Sequence, residues 1–303
     1  MEPLEQLKSD CEVEDNAPIE RSDTVLNEET FEKILNVVIK QKWLRTKNAE
    51  LKYLVSQCAN NESLDLVFEL LERFTYLDPN EADTKINEIT NMIFSDARIS
   101  PENTIFCALH NDPHSDSAPV ILQQIRNQLV DEDGWSERHF INNIGSLINL
   151  YNGQENIILV DEFVGTGYQA KNLIKRLHQK SIKSDKNRII LYVIARMESS
   201  IDHLNDTIDE YYSTITMKRG ISDYNTSDET ALKILTMRNL EENLLPERNN
   251  QTWKSLGAGA SETLYGSRIG TAPANLFPIF WWKWDAQNRR RKNLLNRGAS
   301  NAK

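Results

Sequence analysis

The chain has 303 residues, 39% of them hydrophobic, with 35 basic and 45 acidic side chains and a formal net charge of −10. This length and composition allow one large core, or one core with a smaller helical unit, and exclude a disordered polymer. An apolar run of about 18 residues is missing, which excludes a membrane-spanning helix, and the acidic beginning of the sequence does not resemble a secretory signal. Three widely spaced cysteines fit neither a disulfide framework nor a CxxC metal site, and they favour a reducing cytoplasm.

The first third of the chain is predicted to be helical after an acidic arm. Residues 1–26 are acidic and poor in apolar side chains, which is typical of a flexible arm. Residues 27–98 carry apolar side chains at helical spacing, in stripes that include Phe31, Leu71 and Ile89. This helical region shows no obvious chemistry.

Residues 99–285 show a different pattern, in which short continuous apolar runs alternate with helical periodicity. Strands are predicted at 104–109, 157–160, 189–195 and 214–217. Continuous apolar strands that alternate with helices indicate a parallel sheet covered on both faces. The sequence therefore predicts an α/β domain, followed by a basic tail at 286–303.

Charge is concentrated at the two ends of the sequence. Residues 1–30 hold ten acidic and two basic side chains, whereas residues 283–303 hold seven basic and one acidic. The negative total argues against wholesale nucleic-acid wrapping, although a local basic contact at the tail fits the pattern. The run 289–292 can bind nucleic-acid phosphates, but such runs at termini are more often solvated faces or partner contacts.

The most informative segment is residues 157–169. An apolar strand ends in the adjacent acids Asp161 and Glu162, a loop of small residues follows, and a helix begins directly after it. Glycines let a loop backbone approach a ligand, and convergent N–H groups at a helix N-terminus attract phosphate. The two carboxylates can accept hydrogen bonds from a ribose diol. The arrangement favours a sugar-phosphate site.

Three alternative interpretations of this segment stay open. A Walker B strand would need a GxxxxGK[ST] loop upstream, and the sequence contains none. Residues 165–170 fit GxGxxA, but two carboxylates directly before the glycines would repel a dinucleotide pyrophosphate. The third alternative is an ordinary strand-to-helix turn that uses glycine for its geometry.

With its acids included, the segment resembles the phosphoribosyl-diphosphate (PRPP) motif of phosphoribosyltransferases: an apolar strand, two acids, two apolar residues, a small residue and Thr-Gly. The resemblance implies an α/β fold with a phosphoribosyltransferase-like parallel sheet flanked by helices. The flanks are similar to phosphoribosyltransferase-like domains of bacterial conflict systems, which are anti-phage effectors and in part accompany retron reverse transcriptases. The flanking likeness rests on residues 70–74, on an LGxG-type element at 255–262 and on a TPxNxxPxxWW-like element at 271–282.

The resemblance also implies roles for individual residues. Asp161 and Glu162 would be the catalytic carboxylates and would contact the ribose hydroxyls directly or through Mg²⁺-bound water. An oxocarbenium-like state at ribose C1 is stabilised by such a neighbouring carboxylate. Six consecutive residues would surround the 5′-phosphate: Val164, Gly165, Thr166, Gly167, Tyr168 and Gln169. Gln169 departs from the usual Thr or Ser, which places one hydroxyl contact in doubt.

A further departure lies in the loop after the first strand, where the superfamily binds pyrophosphate with basic and glycine residues. Residues 109–117 contain no Lys, Arg or Gly. A diphosphate would have to use backbone N–H groups, His110, or Mg²⁺ held by Asp112 or Asp116. His110 and His114 stand four apart, but Pro113 breaks a helix between them, so a loop role is favoured over a metal site.

Three more residues are candidate base or anion contacts. Arg196 ends the third predicted strand, at the same end of the sheet as the two acids, where it can reach an anionic ligand. A surface ion pair is an equal alternative. Trp281 and Trp282 offer stacking surfaces for a base, although core packing is the favoured role.

The resemblance thus predicts a Mg²⁺-dependent, phosphoribosyltransferase-like effector that acts on PRPP, a nucleotide or a related ribosyl phosphate in the bacterial cytoplasm, in anti-phage defence. A non-catalytic nucleotide sensor is one alternative, favoured by the non-basic diphosphate loop. A scaffold is another; its charged termini would recruit a reverse transcriptase with its RNA or DNA, or another defence protein. No membrane partner is expected.

Overall fold

The computed structural model describes residues 28–111, 117–130, 134–180, 182 and 187–297. The helices are α1 (Glu28–Lys40), α2 (Asn48–Ser56), α3 (Asn61–Glu72), α4 (Pro79–Ser95), α5 (Ser117–Leu129), α6 (Ile144–Leu150), α7 (Tyr168–Gln179), α8 (Ser200–Leu204) and α9 (Ser227–Glu241). The strands are β1 (Thr75–Leu77), β2 (Thr104–Ala108), β3 (Phe140–Ile141), β4 (Asn156–Val164), β5 (Arg188–Met197), β6 (Glu210–Met217), β7 (Glu247–Arg248), β8 (Gln251–Thr252) and β9 (Tyr265–Ser267).

Five of these strands form a central parallel sheet in the order β3-β2-β4-β5-β6. In the middle of the sheet, Ile158 lies between Phe106 of β2 and Ile190 of β5. Strands β2, β4 and β5 read as continuous apolar runs because both faces of the sheet are covered. The predicted α/β fold, with a parallel sheet flanked by helices, is confirmed.

Alternate side chains of the strands supply two separate cores. Ile158 and Val160 pack with α4 and α5 on one face. Ile157 and Leu159 pack with α6, α7 and α8 on the other. Full burial of an aliphatic side chain of this size contributes about 1.5–3 kcal/mol, so the two layers together hold the sheet in place.

Local signals explain where α4 begins. Asp78 is its N-cap and accepts from the Glu81 N–H at 3.0 Å, while the Glu81 carboxylate accepts from the Asp78 N–H at 2.9 Å. Pro79 occupies the first helical position, where a missing N–H costs nothing. This reciprocal cap separates α4 from the preceding short strand.

A third core joins the beginning and the end of the described chain. Side chains from α1, α2 and α3 pack with residues between 221 and 295. Strand β1 pairs in parallel with β9, with Thr75 opposite Tyr265. Arg291, from the predicted basic tail, is 4% exposed and donates to the carbonyl oxygens of Trp282 at 2.8 Å and Ile279 at 3.1 Å. Part of that segment therefore belongs to the fold.

The division into an arm, a helical region, an α/β domain and a tail stays a prediction. Its arm, residues 1–26, and the end of its tail, 298–303, lie outside the described residues. Within the described ranges, none of the helices has the length and apolar character needed to cross a membrane.

Candidate functional site

The two acids at the end of β4 have different surroundings. Successive strand residues face opposite sides of a sheet, so the two side chains diverge. Glu162 is 4% exposed, and its Oε1 accepts hydrogen bonds from Tyr265 Oη at 3.1 Å and from Ser267 Oγ. Asp161 is partly exposed, and its Oδ1 accepts from the backbone N–H of Glu162 at 2.7 Å. Asp161 is therefore the acid more open to a ligand.

Glu162 holds residues 256–276 against the carboxyl end of β4. We call this segment the strap. Within it, Ser267 Oγ accepts from the Gly270 N–H at 3.3 Å, and a Cβ added to Gly270 would lie 2.4 Å from Glu162 Oε2. The Tyr265 ring stacks on Phe163 at 5.0 Å between centroids. Burial and the Glu162 charge hold the pKa of Tyr265 well above its usual value, so its hydroxyl stays a donor.

The charges of Asp161 and Arg196 both act on the phenol of Tyr211. Burial raises the pKa of Tyr211, and the Asp161 charge adds to the rise, whereas a Ser200 hydrogen bond and the Arg196 charge oppose it. The Arg196 guanidinium lies 4.5 Å from the centre of the Tyr211 ring. It also donates to Thr216 Oγ1 at 3.2 Å. Arg196 makes no ion pair with any of the described residues, so the predicted surface pair is not formed there.

The predicted phosphate loop leads directly from β4 into α7. Val164, Gly165 and Gly167 are buried, Thr166 is half-buried, and Tyr168 and Gln169 are exposed in the first helical turn. Gly167 is the N-cap residue with φ +82° and ψ −13°, a left-handed conformation that favours glycine. Gly167 has no side chain with which to cap α7, so this N-cap residue leaves the N–H groups of the first helical turn to an anion.

The strap forms a second wall against this loop. A Cβ on Gly165 would lie 2.2 Å from Asn275 Cγ, and a Cβ on Gly259 would lie 2.6 Å from Thr166 Cγ2. Asn275 is held by Nδ2, which donates to the Ala258 carbonyl at 3.0 Å and to Ser261 Oγ at 3.2 Å. The loop and the strap therefore make van der Waals contact through glycines.

These strap residues are the functional candidates that sequence reasoning missed. Gly257 and Gly259 lie in the LGxG-type element, and Asn275 lies in the TPxN part of the second flanking element. The sequence analysis used both elements for the family resemblance. It did not place their residues at the phosphate loop. The structure brings the acid pair and the loop together with the strap.

A buried carboxylate anchors the start of the strap. Glu241, the last residue of α9, is 1% exposed and accepts from Ser255 Oγ at 2.5 Å and from the Leu256 N–H at 3.0 Å. Burial raises its pKa to about 7, although both hydrogen bonds act in the opposite direction.

This raised pKa predicts a pH-dependent stability. The unfolded chain loses the Glu241 proton near pH 4.5, whereas the folded protein keeps it to about pH 7. The resulting stabilisation, about 3 kcal/mol, is complete below pH 4.5 and is lost as the pH rises to about 7. Glu241→Gln should remove this pH-dependent part of the free energy of unfolding. Urea unfolding of the wild type and the variant at pH 4.5 and 7 measures the difference. An unchanged pH dependence in the variant would contradict the assignment.

The other predicted site residues lie elsewhere or outside the described ranges. His110 is buried two residues after the end of β2, and its carbonyl accepts from the Ile144 N–H at 2.9 Å. Asp112 and Asp116 lie outside the described residues. Trp281 and Trp282 are buried in the core shared with α1–α3, and neither belongs to the two cores that cover the sheet.

The predicted magnesium ligands Asp112 and Asp116 lie outside the described residues. No group of three or more His, Cys, Asp or Glu side chains able to hold a metal occurs among the described residues. Of the two site acids, Glu162 already accepts from two hydroxyls. Mg²⁺ stays a prediction.

Comparison with known proteins identifies the family to which the chain belongs. A solved structure of a hypothetical protein from Neisseria gonorrhoeae with bound ppGpp is 11% identical, over 48% of this chain and 85% of that one, with a TM-score of 0.34. No curated protein matches the chain. The family model PRTase-CE matches residues 52–297. Because this match covers most of the sequence, the chain belongs to the PRTase-CE family, a family of phosphoribosyltransferase type.

Proposed function

We propose that the protein is a phosphoribosyltransferase-like effector that binds PRPP, a nucleotide or a related ribosyl phosphate. One observation carries the proposal: a strand that ends in acids leads through a glycine loop into a helix whose N-cap residue is a glycine. The 5′-phosphate would lie on the first N–H groups of α7, where the helix dipole favours an anion. A role in anti-phage defence rests on the resemblance of the flanking elements.

The two acids would have separate tasks in this site. Asp161 is partly exposed, so its carboxylate can accept from ribose hydroxyls and stabilise positive charge that develops at C1. Glu162 is occupied by Tyr265 and Ser267, so it acts as a positioning residue that keeps the strap against the loop. Chemistry at the ribose would therefore depend on Asp161 more than on Glu162.

Asp161→Asn tests the proposal. We expect turnover of PRPP or nucleotides to fall about 100-fold or more, because the carboxylate charge is lost while its size is kept. Product analysis by chromatography measures the effect, and circular dichroism checks the fold. Glu198→Gln is the matched control, since Glu198 is an exposed acid that directly follows β5 at the same edge of the sheet. Equal turnover by Asp161→Asn and wild type would refute the catalytic assignment.

A nucleotide sensor is the second candidate function. It is favoured by the loop after β2, since residues 109–117 offer no Lys, Arg or Gly to a diphosphate. Calorimetry with PRPP and nucleotides, followed by product analysis, separates the two functions: binding without product supports the sensor. Recruitment of a reverse transcriptase with its nucleic acid, or of another defence protein, through the charged ends stays a prediction.

A further inference from the structure

A cavity of about 130 Å³ lies beside the strap, apart from the sheet. Its walls include four of the six tryptophans of the chain, Trp253, Trp281, Trp282 and Trp284. An engineered apolar cavity of about 150 Å³ is large enough for benzene, so this space suits one aromatic ring. The aromatic lining favours a planar ligand that can stack.

The same cavity is positively charged. Lys254, Lys283 and Arg297 line it, and no acidic side chain does so among the described residues. None of the three forms an ion pair with a described residue, although the whole chain has a net charge of −10. The Arg297 guanidinium lies 5.3 Å from the centre of the Trp281 ring and donates to the Ala272 carbonyl at 3.0 Å. Uncompensated cations around an aromatic space favour an anionic ligand.

One donor in the cavity wall, and a second that lies against the lining residue Trp284, lack a hydrogen-bond partner within the described part of the chain. Trp282 is 3% exposed, and its Nε1 has no acceptor. Arg248 lies with its Cζ 3.2 Å from the centre of the Trp284 ring, and its NH1 also has no acceptor. Buried donors are nearly always satisfied, so the unpaired Trp282 Nε1 in the cavity wall points to a ligand that supplies an acceptor.

The strap separates this cavity from the phosphate loop. Ala258 and Ala274 line the cavity and are joined by a hydrogen bond of 2.9 Å from the Ala258 N–H to the Ala274 carbonyl. Their sequence neighbours Gly257, Gly259 and Asn275 make the contacts of the strap and loop. The cavity is therefore a second place in the molecule, next to the proposed ribosyl-phosphate site but not part of it.

We propose that this cavity binds a nucleotide unit, either a free mononucleotide or one nucleotide of a single strand. The base stacks on the tryptophans and supplies an acceptor to Trp282 Nε1. The phosphate lies at the rim, where the exposed Lys254 and the half-buried Lys283 are placed. Binding here does not depend on the ribosyl-phosphate site.

Tryptophan fluorescence provides the test, because four of the six indoles line the cavity. Full-length protein is titrated with UMP and AMP, and separately with a fluorescein-labelled dT10 strand followed by anisotropy. We expect saturable quenching or an anisotropy rise. Lys254→Glu should weaken it at least tenfold, and Lys283→Glu should do the same. Lys180→Glu, an exposed charge reversal at the end of α7, should bind like wild type.

Each outcome decides the proposal. Quenching by mononucleotides supports a free nucleotide, and a response to dT10 alone supports a strand, provided that Lys254→Glu weakens either. No response to any probe, or equal binding by Lys254→Glu and Lys180→Glu, would overturn the site. Because Lys254 is exposed, Lys254→Glu should fold even if Lys283→Glu does not, and its turnover at the ribosyl-phosphate site should be unchanged.

Discussion

Gly257→Ala is expected to destabilise the protein by about 4 kcal/mol, which is a large fraction of the stability of a domain. Gly257 has φ +80° and ψ 168°, a conformation essentially reserved for glycine. A Cβ there would lie 1.8 Å from the Asn275 carbonyl oxygen, so backbone would have to move. Strain of about 1–3 kcal/mol and overpacking of a similar size add in the same direction. Urea unfolding measures the change.

Gly153→Ala is the matched control for this experiment. Gly153 also has a positive φ, +84°, but a Cβ added there would meet nothing within 4 Å. Its replacement should cost only the conformational strain, about 1–2 kcal/mol. Equal losses for the two variants would show that the contact between Gly257 and Asn275 contributes nothing, which would contradict the strap geometry.

Glu162→Ala is expected to lower the free energy of unfolding by about 3 kcal/mol. The substitution leaves the Tyr265 and Ser267 hydroxyls without their acceptor in a buried place, and each unsatisfied donor costs about 1–3 kcal/mol. Chemical denaturation measures the loss. Glu155→Ala is the control, because Glu155 is exposed just before β4 and should cost less than about 0.5 kcal/mol.

A double-mutant cycle tests whether the stability lost in Glu162→Ala comes from its contact with the strap. Combining Glu162→Ala with Ser267→Ala should cost less than the sum of the single variants, with a coupling of about 1–2 kcal/mol, because both remove the same hydrogen bond. Additive losses would mean that Glu162 stabilises the protein in some other way. The anchoring role assigned to Glu162 would then be withdrawn.

The strands that sequence reasoning predicted well are those buried on both faces. Continuous apolar runs located β2, β4 and β5 because no solvent-facing residues interrupt them. The first half of β6 was missed, since this strand lies at the edge of the sheet and begins with the polar Glu210. Strands β1 and β9 were missed because each has three residues and pairs only with the other.

The site was predictable to the extent that it is local. The acid pair and the loop are contiguous, so their order along β4 and α7 was visible in the sequence. Asn275 was not assigned, because its contact with Gly165 joins residues more than a hundred positions apart. Arg291 belongs to a run that looks solvated, yet its side chain is buried against backbone carbonyls. A charge pattern alone does not reveal such a tertiary contact.

The pairing of β1 with β9 has a consequence for synthesis on the ribosome. A nascent chain that has reached residue 250 already contains the acids and the phosphate loop, but it lacks Asn275, the strap glycines and the partner strand of β1. Contacts of such high sequence separation form late, since their loop-closure entropy must first be overcome. A chain built in this way acquires its complete site only after the strap has been synthesised, so a chain that stops at residue 250 would lack the second wall of the site.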